Sequence, residues 1–343
     1  GRASESISLA WEPSHLSVSR AIVKQDPRKS FCFPPGVRRV FPARPARYNP
    51  RTTMKIVITA DLHYDILRSR EPARRAAEIL CRAGGDALVL AGDTAGADLD
   101  RLREALTLFA DFPGRKLMVP GNHCLWCAGD ENSLDRYERV LPALAEECGF
   151  SVLDFHPVQL GAVGLAGSIG WYDYSFRDES LGIPLPFYAA KVAPGAAAYY
   201  QEYAELIDEH RDRLNDEHLE ISSRWMDGVR VSLGMSDEQF ARRVEDRLAG
   251  QLADLAPRVE KIVAVVHHLP FVELVPQGRP PRFAFAAAFM GARRLGEVLL
   301  ACPKVTHVYC GHSHWPDRRT VGHIQAVNIG STYTEKRWET LEL

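Results

Sequence analysis

MKIVITADLH, residues 54–63, sets an apolar run against two side chains that bind metals. Ile56, Val57 and Ile58 follow one another without a polar partner, which reads as a strand buried on both faces rather than on one. Asp61 and His63 come directly after it. The same construction recurs further along: LVLAGD (88–93) ends on Asp93, VPGNH (119–123) on Asn122 and His123, VAVVHH (263–268) on His267 and His268, and YCGHSH (309–314) on His312 and His314. In an open sheet of such strands, ligands bind beyond the carboxyl ends. Five segments far apart in sequence would thus deliver oxygen and nitrogen donors to one crevice, which points to metal-assisted chemistry.

Between these runs the chain alternates strand and helix. Glu71–Ala83 is expected to be helical, with Pro72 in its first turn, where a missing N–H costs little. Residues 98–112 carry Leu99, Leu102, Leu106 and Phe109 near helical spacing. Residues 133–149 read as a helix with Ser133 as N-cap and Gly149 at its end. This βαβαβ rhythm predicts a parallel sheet in the first half. SVLDF (151–155), VQL (158–160) and 162–170 are short and closely spaced, as in a second, mixed sheet. A polar, helical region follows, including Ser236 with Gln239 three residues later, a capping-box pattern. Strands resume with KIVAVVH and continue through 305–311 to the short strands of the last thirty residues or so.

Composition is that of an ordinary water-soluble chain: 343 residues, net charge −2, 25% charged. With no strongly basic stripe, tight phosphate neutralisation on duplex nucleic acid is not the default, and no apolar run approaches the roughly 20 residues of a membrane span. The count of Cys is 7; it is odd and shows no disulfide framework, so the expected setting is a reducing cytoplasm. Residues 1–53 differ from the rest, with many Arg and Pro, few acids and no lasting period. They are expected to be an extension that does not fold, with Met54 as the natural start; a polybasic tail for an acidic partner is the alternative. The helical amphipathicity of a transit peptide is absent.

Taken singly, the motifs differ in weight. In an extended segment Asp61 and His63 would point to one face and reach one ion, yet D-x-H also suits a solvated loop. Asp93 could be a helix N-cap, or a carboxylate with enough lone pairs to bridge two cations. Gly121 permits a close turn, Asn122 offers a neutral carbonyl oxygen, and His123 can donate a proton. Gly-His-Ser-His is the strongest single piece.

In this order, D-x-H, G-D, G-N-H, H-H and G-H-x-H, the set resembles the calcineurin-like metallophosphoesterase superfamily, from Met54 to about Leu343. The resemblance implies a four-layered αββα sandwich, two mixed sheets flanked by helices, with a helical insertion at about 172–260. It implies two divalent metal ions: Asp61, His63, Asp93 and His314 around one, and Asp93, Asn122, His267 and His312 around the other, Asp93 bridging. His123 would be a catalytic non-ligand that protonates the leaving oxygen or steadies the phosphorane charge. The expected activity is hydrolysis of a phosphomonoester or phosphodiester by a metal-bridging hydroxide, on a small phosphorylated substrate. Imidazole and carboxylate donors suit Mn, Fe, Zn or Co better than Ca.

Departures from the pattern shape the alternatives. Cys124 stands where many members carry an acid after G-N-H, which bears on how His123 is oriented. Cys124 and Cys127 form C-x-x-C, a redox pair or half a zinc site, and a thiol so placed would make the enzyme sensitive to oxidation. Strand alignment favours His267 over His268 as the ligand. Trp126, Trp171, Tyr172 and Trp315 would stack a nucleobase or aryl group, or simply pack. Residues 94–100, TAGADLD, lack the pattern of the protein-phosphatase branch. A non-catalytic scaffold on the same fold, or a nuclease of the superfamily, are the competing functions; every ligand position is filled, which disfavours the scaffold.

Overall fold

The buried run of residues 56–58 forms the centre of β1 (Lys55–Thr59) in the computed structural model, which describes residues 53–127, 131–278 and 280–343. The expected unfolded extension, 1–53, lies outside these apart from Thr53. β2 (Ala87–Ala91), β3 (Arg115–Val119) and β4 (Phe150–Val152) follow in parallel register, and β11 (Trp338–Glu342) adds antiparallel to β1. The first sheet runs β11-β1-β2-β3-β4. The second is built from β5 (Val158–Leu160), β6 (Val163–Ser168), β7 (Lys261–Val266), β8 (Val305–Cys310), β9 (Asp317–Val321) and β10 (Ile324–Asn328), in the order β5-β6-β7-β8-β10-β9. Both are mixed.

Side-chain alternation splits the core into three. Ile56, Ile58, Val89, Leu117 and Val119 from the first sheet meet Leu165, Val263, Val265 and Val327 from the second. On the outer face of the first sheet, Val57, Leu88, Leu90 and Met118 pack under Ala77, Leu80, Leu102, Leu106 and Phe109 of the covering helices. On the outer face of the second, Ile262, Ala264 and Val308 pack under Leu248, Leu252, Leu295 and Leu299. Helix, sheet, sheet, helix is the expected four-layered order. Each strand that precedes a candidate ligand is buried on both faces because it has a layer on either side.

Local expectations hold in part. Ser236 and Gln239 form both bonds of a capping box, heading the helix Asp237–Leu255. Three readings are corrected. The first helix begins at Leu67, four residues before the expected start, so Pro72 lies inside it. Its N-cap Ile66 offers no side-chain bond, hence no sequence signal; the start is pinned by Ser69, whose hydroxyl donates to the Leu62 carbonyl at 2.7 Å. Asn132, not Ser133, caps the helix that begins at Ser133, accepting from the backbone N–H groups of Leu134 and Asp135. That helix then widens into a π turn over Arg136–Val140 before Leu141–Glu147. The buried Arg136 there donates to the carbonyls of Cys124, Gly96 and Ala97 and so ties together the loops after β2 and β3. Finally, SVLDF joins the first sheet beside β3 instead of opening the second. Between β6 and the helix Asp237–Leu255 the chain forms short helices and turns with an isolated bridge, Val192 to Arg224.

Between the two sheets' supporting layers, Asp154 accepts from the Tyr137 hydroxyl at 2.7 Å and the Ile169 N–H at 2.6 Å through one oxygen, Oδ1. Burial pushes its carboxyl up to about 6 from an ordinary 3.8, against the pull of Tyr137. A raised folded value means stability that is present below pH 4 and lost as pH rises through 6. Asp154→Asn keeps the accepting oxygen and removes the titration. The unfolding free energy of the variant relative to the parent, from urea titrations, should therefore climb between pH 4 and 6 by on the order of 2–3 kcal/mol. A difference independent of pH would mean that Asp154 does not titrate in that window.

Candidate metal centre

All five loops that follow β1, β2, β3, β7 and β8 meet at the carboxyl ends of those strands. They are stitched by backbone bonds: Asp61 N–H to Gly92 O, His63 N–H to Asp93 O, and Gly311 N–H to His267 O. His312 N–H donates to the Asp61 carboxylate at 3.0 Å, and His123 N–H to Asp93 Oδ1 at 2.9 Å. Lys336 donates to the Asp61 carbonyl at 2.7 Å; burial pulls its ammonium down to about 8.

The extended segment expected at Asp61 and His63 is corrected, although the two side chains reach one donor group as expected. Both adopt left-handed backbone, φ 56° and 43°, as do Asp93 (46°), His312 (74°) and His314 (54°). Once past the strand end the chain turns, so the period of two no longer applies. Asp and His are among the few non-glycine residues that enter this region with some frequency, and strain of this kind is tolerated where surrounding structure over-determines it. Gly121 is required by proximity: a Cβ there would lie 2.1 Å from Asp93 Oδ1.

Three overlapping donor groups result among the described residues. Asp61, His63 and His314 converge on one side, Asp93, His267 and His312 on the other, and His63 and Asp93 form a third with His123. Asp93 Oδ2 lies among them, 3.6 Å from His63 Nε2, 3.4 Å from His267 Nε2 and 3.9 Å from His123 Nε2. Asn122 joins the second cluster, its Oδ1 3.2 Å from His267 Nε2. His268 does not. Its ring packs against Trp171 and Tyr172, and its Nδ1 bonds the Ile169 carbonyl.

Do these residues fit metal ions? His267 Nδ1 lies 3.1 Å from the Ala91 carbonyl and His312 Nε2 3.1 Å from that of Phe289, so each donates there. Their other nitrogens, His267 Nε2 and His312 Nδ1, then present lone pairs to one another at 3.2 Å. Asn122 Oδ1 and Asp93 Oδ2 face the same point. His63 Nε2 and His314 Nε2 approach to 3.0 Å in the other cluster. Converging lone pairs repel unless a cation or proton stands among them, and outward donation to carbonyls is how metal-binding histidines are oriented. The donors fit.

Electrostatics agree. Burial pulls His63 and His312 well below the ordinary value and His314 down to about 4, all three toward the neutral, ligating form. Burial pushes Asp61 up to about 7. Burial also works against a charged Asp93, but His267 and His123 outweigh it and hold the carboxyl well below its usual range. His267 is pulled down by burial and pushed up further by Asp93, to about 9; a proton there stands in for a cation.

Residues 54–181 match the model of the calcineurin-like phosphoesterase family. The chain carries a calcineurin-like phosphoesterase domain. It is a metal-dependent phosphoester hydrolase. The matched stretch contains Asp61, His63, Asp93, Asn122 and His123; His267, His312 and His314 lie beyond it, and the fold brings them to the same place. Among solved structures, the phosphoesterase is similar to a phosphopantetheinyl hydrolase from Mycobacterium tuberculosis, 18% identical, TM-score 0.56, covering 84% of this chain and 96% of that one. It is also similar to a dimetal phosphatase from Danio rerio, 15% identical, TM-score 0.46, covering 85% and 93%. No curated protein matches. Among the described residues, no helix is long and apolar enough to cross a membrane.

Sequence reasoning missed several neighbours of the clusters. Asp227, in a short helix between β6 and β7, accepts from Asn122; Trp225 lies edge-on to His312, 5.7 Å between centroids, and stacks on Phe289. Tyr333 packs edge-on against His63 and His314. None sits in a recognisable motif. Of the aromatic candidates, Trp126 stacks on His123 at 3.8 Å, while Trp171 and Tyr172 are fully buried and Trp315 is half exposed. Cys124 and Cys127 are buried free thiols. Burial pushes Cys124 up to about 11, away from the thiolate form.

Proposed function

We propose that the phosphoesterase is a dinuclear enzyme. Asp61, His63, Asp93 and His314 hold one divalent ion, Asp93, Asn122, His267 and His312 hold a second, and the pair cleaves a phosphomonoester or phosphodiester of a small substrate. The observation that carries this reading is the position of Asp93 Oδ2, within 3.4–3.6 Å of a histidine nitrogen from each cluster. Divalent ions at such a site supply Lewis acidity, polarising phosphoryl oxygens and acidifying a water. The mixture of imidazole and carboxylate suits Mn, Fe, Zn or Co.

The chain's own residues supply the rest. His123 stands beside the clusters with its side chain partly exposed, 3.9 Å from Asp93. It is placed to give a proton to the leaving oxygen, a role worth on the order of 10²–10⁴ in rate. Stacking on Trp126 limits its ring orientation. Purified protein, stripped and reloaded with Mn, should hydrolyse p-nitrophenyl phosphate or its bis-ester, and His123→Ala should lose most turnover while binding the same two ions. Loss of metal together with activity in that variant would make His123 a ligand instead. Absence of turnover on both esters, despite two bound ions, would favour a non-catalytic binder.

A further inference from the structure

Asp227 is 1% exposed and belongs to the insertion, not to any strand of the metal centre. Four neutral donors converge on its carboxylate. Oδ1 accepts from Asn122 Nδ2 at 3.0 Å and Trp126 Nε1 at 2.7 Å; Oδ2 accepts from Trp225 Nε1 at 2.8 Å and the Tyr172 hydroxyl at 3.1 Å, and lies 3.2 Å from Asn122 Nδ2. Burying a carboxylate costs free energy unless it is thoroughly hydrogen-bonded, so a site that keeps one here is organised around its charge.

We propose that Asp227 is a positioning residue of the second metal site, setting which end of the Asn122 amide faces the metal. The proposal rests on the dinuclear reading above. The chemistry is simple. An amide has one donating end and one accepting end, and a carboxylate only accepts. With Asp227 at its back, Asn122 turns Nδ2 away and Oδ1 toward His267 Nε2, where a cation needs an oxygen. Two further arms leave the same carboxylate. Trp126, held by Oδ1, stacks on His123. Trp225, held by Oδ2, stacks on Phe289 at 5.2 Å, and the Phe289 carbonyl accepts from His312 Nε2–H. The insertion thereby governs the orientation of residues in the loops after β3 and β8.

Replacing Asp227 by Asn removes the charge at almost no change in volume and lets the Asn122 amide turn over. Calorimetric titration of the full, metal-stripped chain with Mn should show two ions bound by the parent. In Asp227→Asn one of them should weaken by about 10–100-fold, the range seen when outer partners of metal ligands are lost. In the double variant Asn122→Asp/Asp227→Asn the donor and the charge exchange places, and affinity should return to within about threefold of the parent, given that the carboxylate is the better ligand. Asn122→Asp by itself is the control: the recovery counts for the proposal only where it exceeds the gain that the added carboxylate ligand gives in the parent background. Undiminished binding of both ions by Asp227→Asn overturns the proposal, as does a double variant that binds no better than the single one or, like it, fails to fold by circular dichroism. A parent that binds no Mn sinks this proposal and the dinuclear reading together; a parent with two ions and an indifferent variant sinks this proposal alone.

Discussion

Asp93→Asn should abolish catalysis while leaving the fold standing. The substitution preserves Oδ1, which accepts the His123 N–H at 2.9 Å, so the loop after β3 keeps its anchor. What it removes is the charge on Oδ2, the atom that faces His63 and His267 from the middle of the site. A neutral amide there is a poor partner for two cations, and in one orientation it would aim an N–H at them. Lewis-acid stabilisation of a phosphoryl transition state is worth several kcal/mol. Turnover should therefore fall on the order of 10³-fold or more, at about 1.4 kcal/mol per decade. Metal content by plasma mass spectrometry should drop below two ions per chain. Activity within tenfold of the parent, at full metal content, would show that Asp93 merely packs.

Chelation should lower the thermal midpoint of the parent on the order of 10 °C, and should barely move that of Asp93→Asn. A ligand that binds only the folded chain adds stability in proportion to the logarithm of its excess over Kd, about 4 kcal/mol at a thousandfold excess. For a chain of this size each kcal/mol shifts the midpoint about 2–4 °C. The geometry makes the linkage strong. Asp61, His63, Asp93 and Asn122 follow strands of the first sheet, and His267, His312 and His314 follow strands of the second. Ions held by both sets would join the two sheets at one end. A scanning calorimeter, with and without a chelator, reads the effect. Equal midpoints in the parent under both conditions would mean that no tightly held metal supports the fold.

Both expectations start from residues that the amino-acid sequence by itself makes conspicuous. Asp61, Asp93, Asn122, His267 and His312 stand out because each follows an uninterrupted apolar run, and burial on two faces leaves such runs no other way to be written. The four layers are legible for the same reason. What escapes has physical causes too. Left-handed backbone at Asp61 and His63 leaves no mark in residue type beyond a mild preference, so nothing in the letters shows where the strand's period of two stops applying. Asp227 sits among Trp225, Met226 and Gly228, and three of its four donors, Asn122, Trp126 and Tyr172, lie more than fifty residues away. SVLDF shows its conformation but not its sheet, because pairing partners are a tertiary choice that a short apolar run cannot specify.

β1 is flanked by β2 on one side and by β11 on the other. The pairing with β11 is complete, from Lys55 opposite Glu342 to Thr59 opposite Trp338, and is closed off by reciprocal bonds between Met54 and Leu343. During synthesis, then, the chain makes β1 almost 280 residues before the strand that covers it. Until the ribosome releases Trp338–Glu342, one edge of an apolar strand has no partner of its own, and an open edge is a template for whichever strand arrives first. A nascent or truncated chain lacking β11 is accordingly the form most exposed to pairing with another copy, and Trp338–Glu342 shield β1 from such pairing.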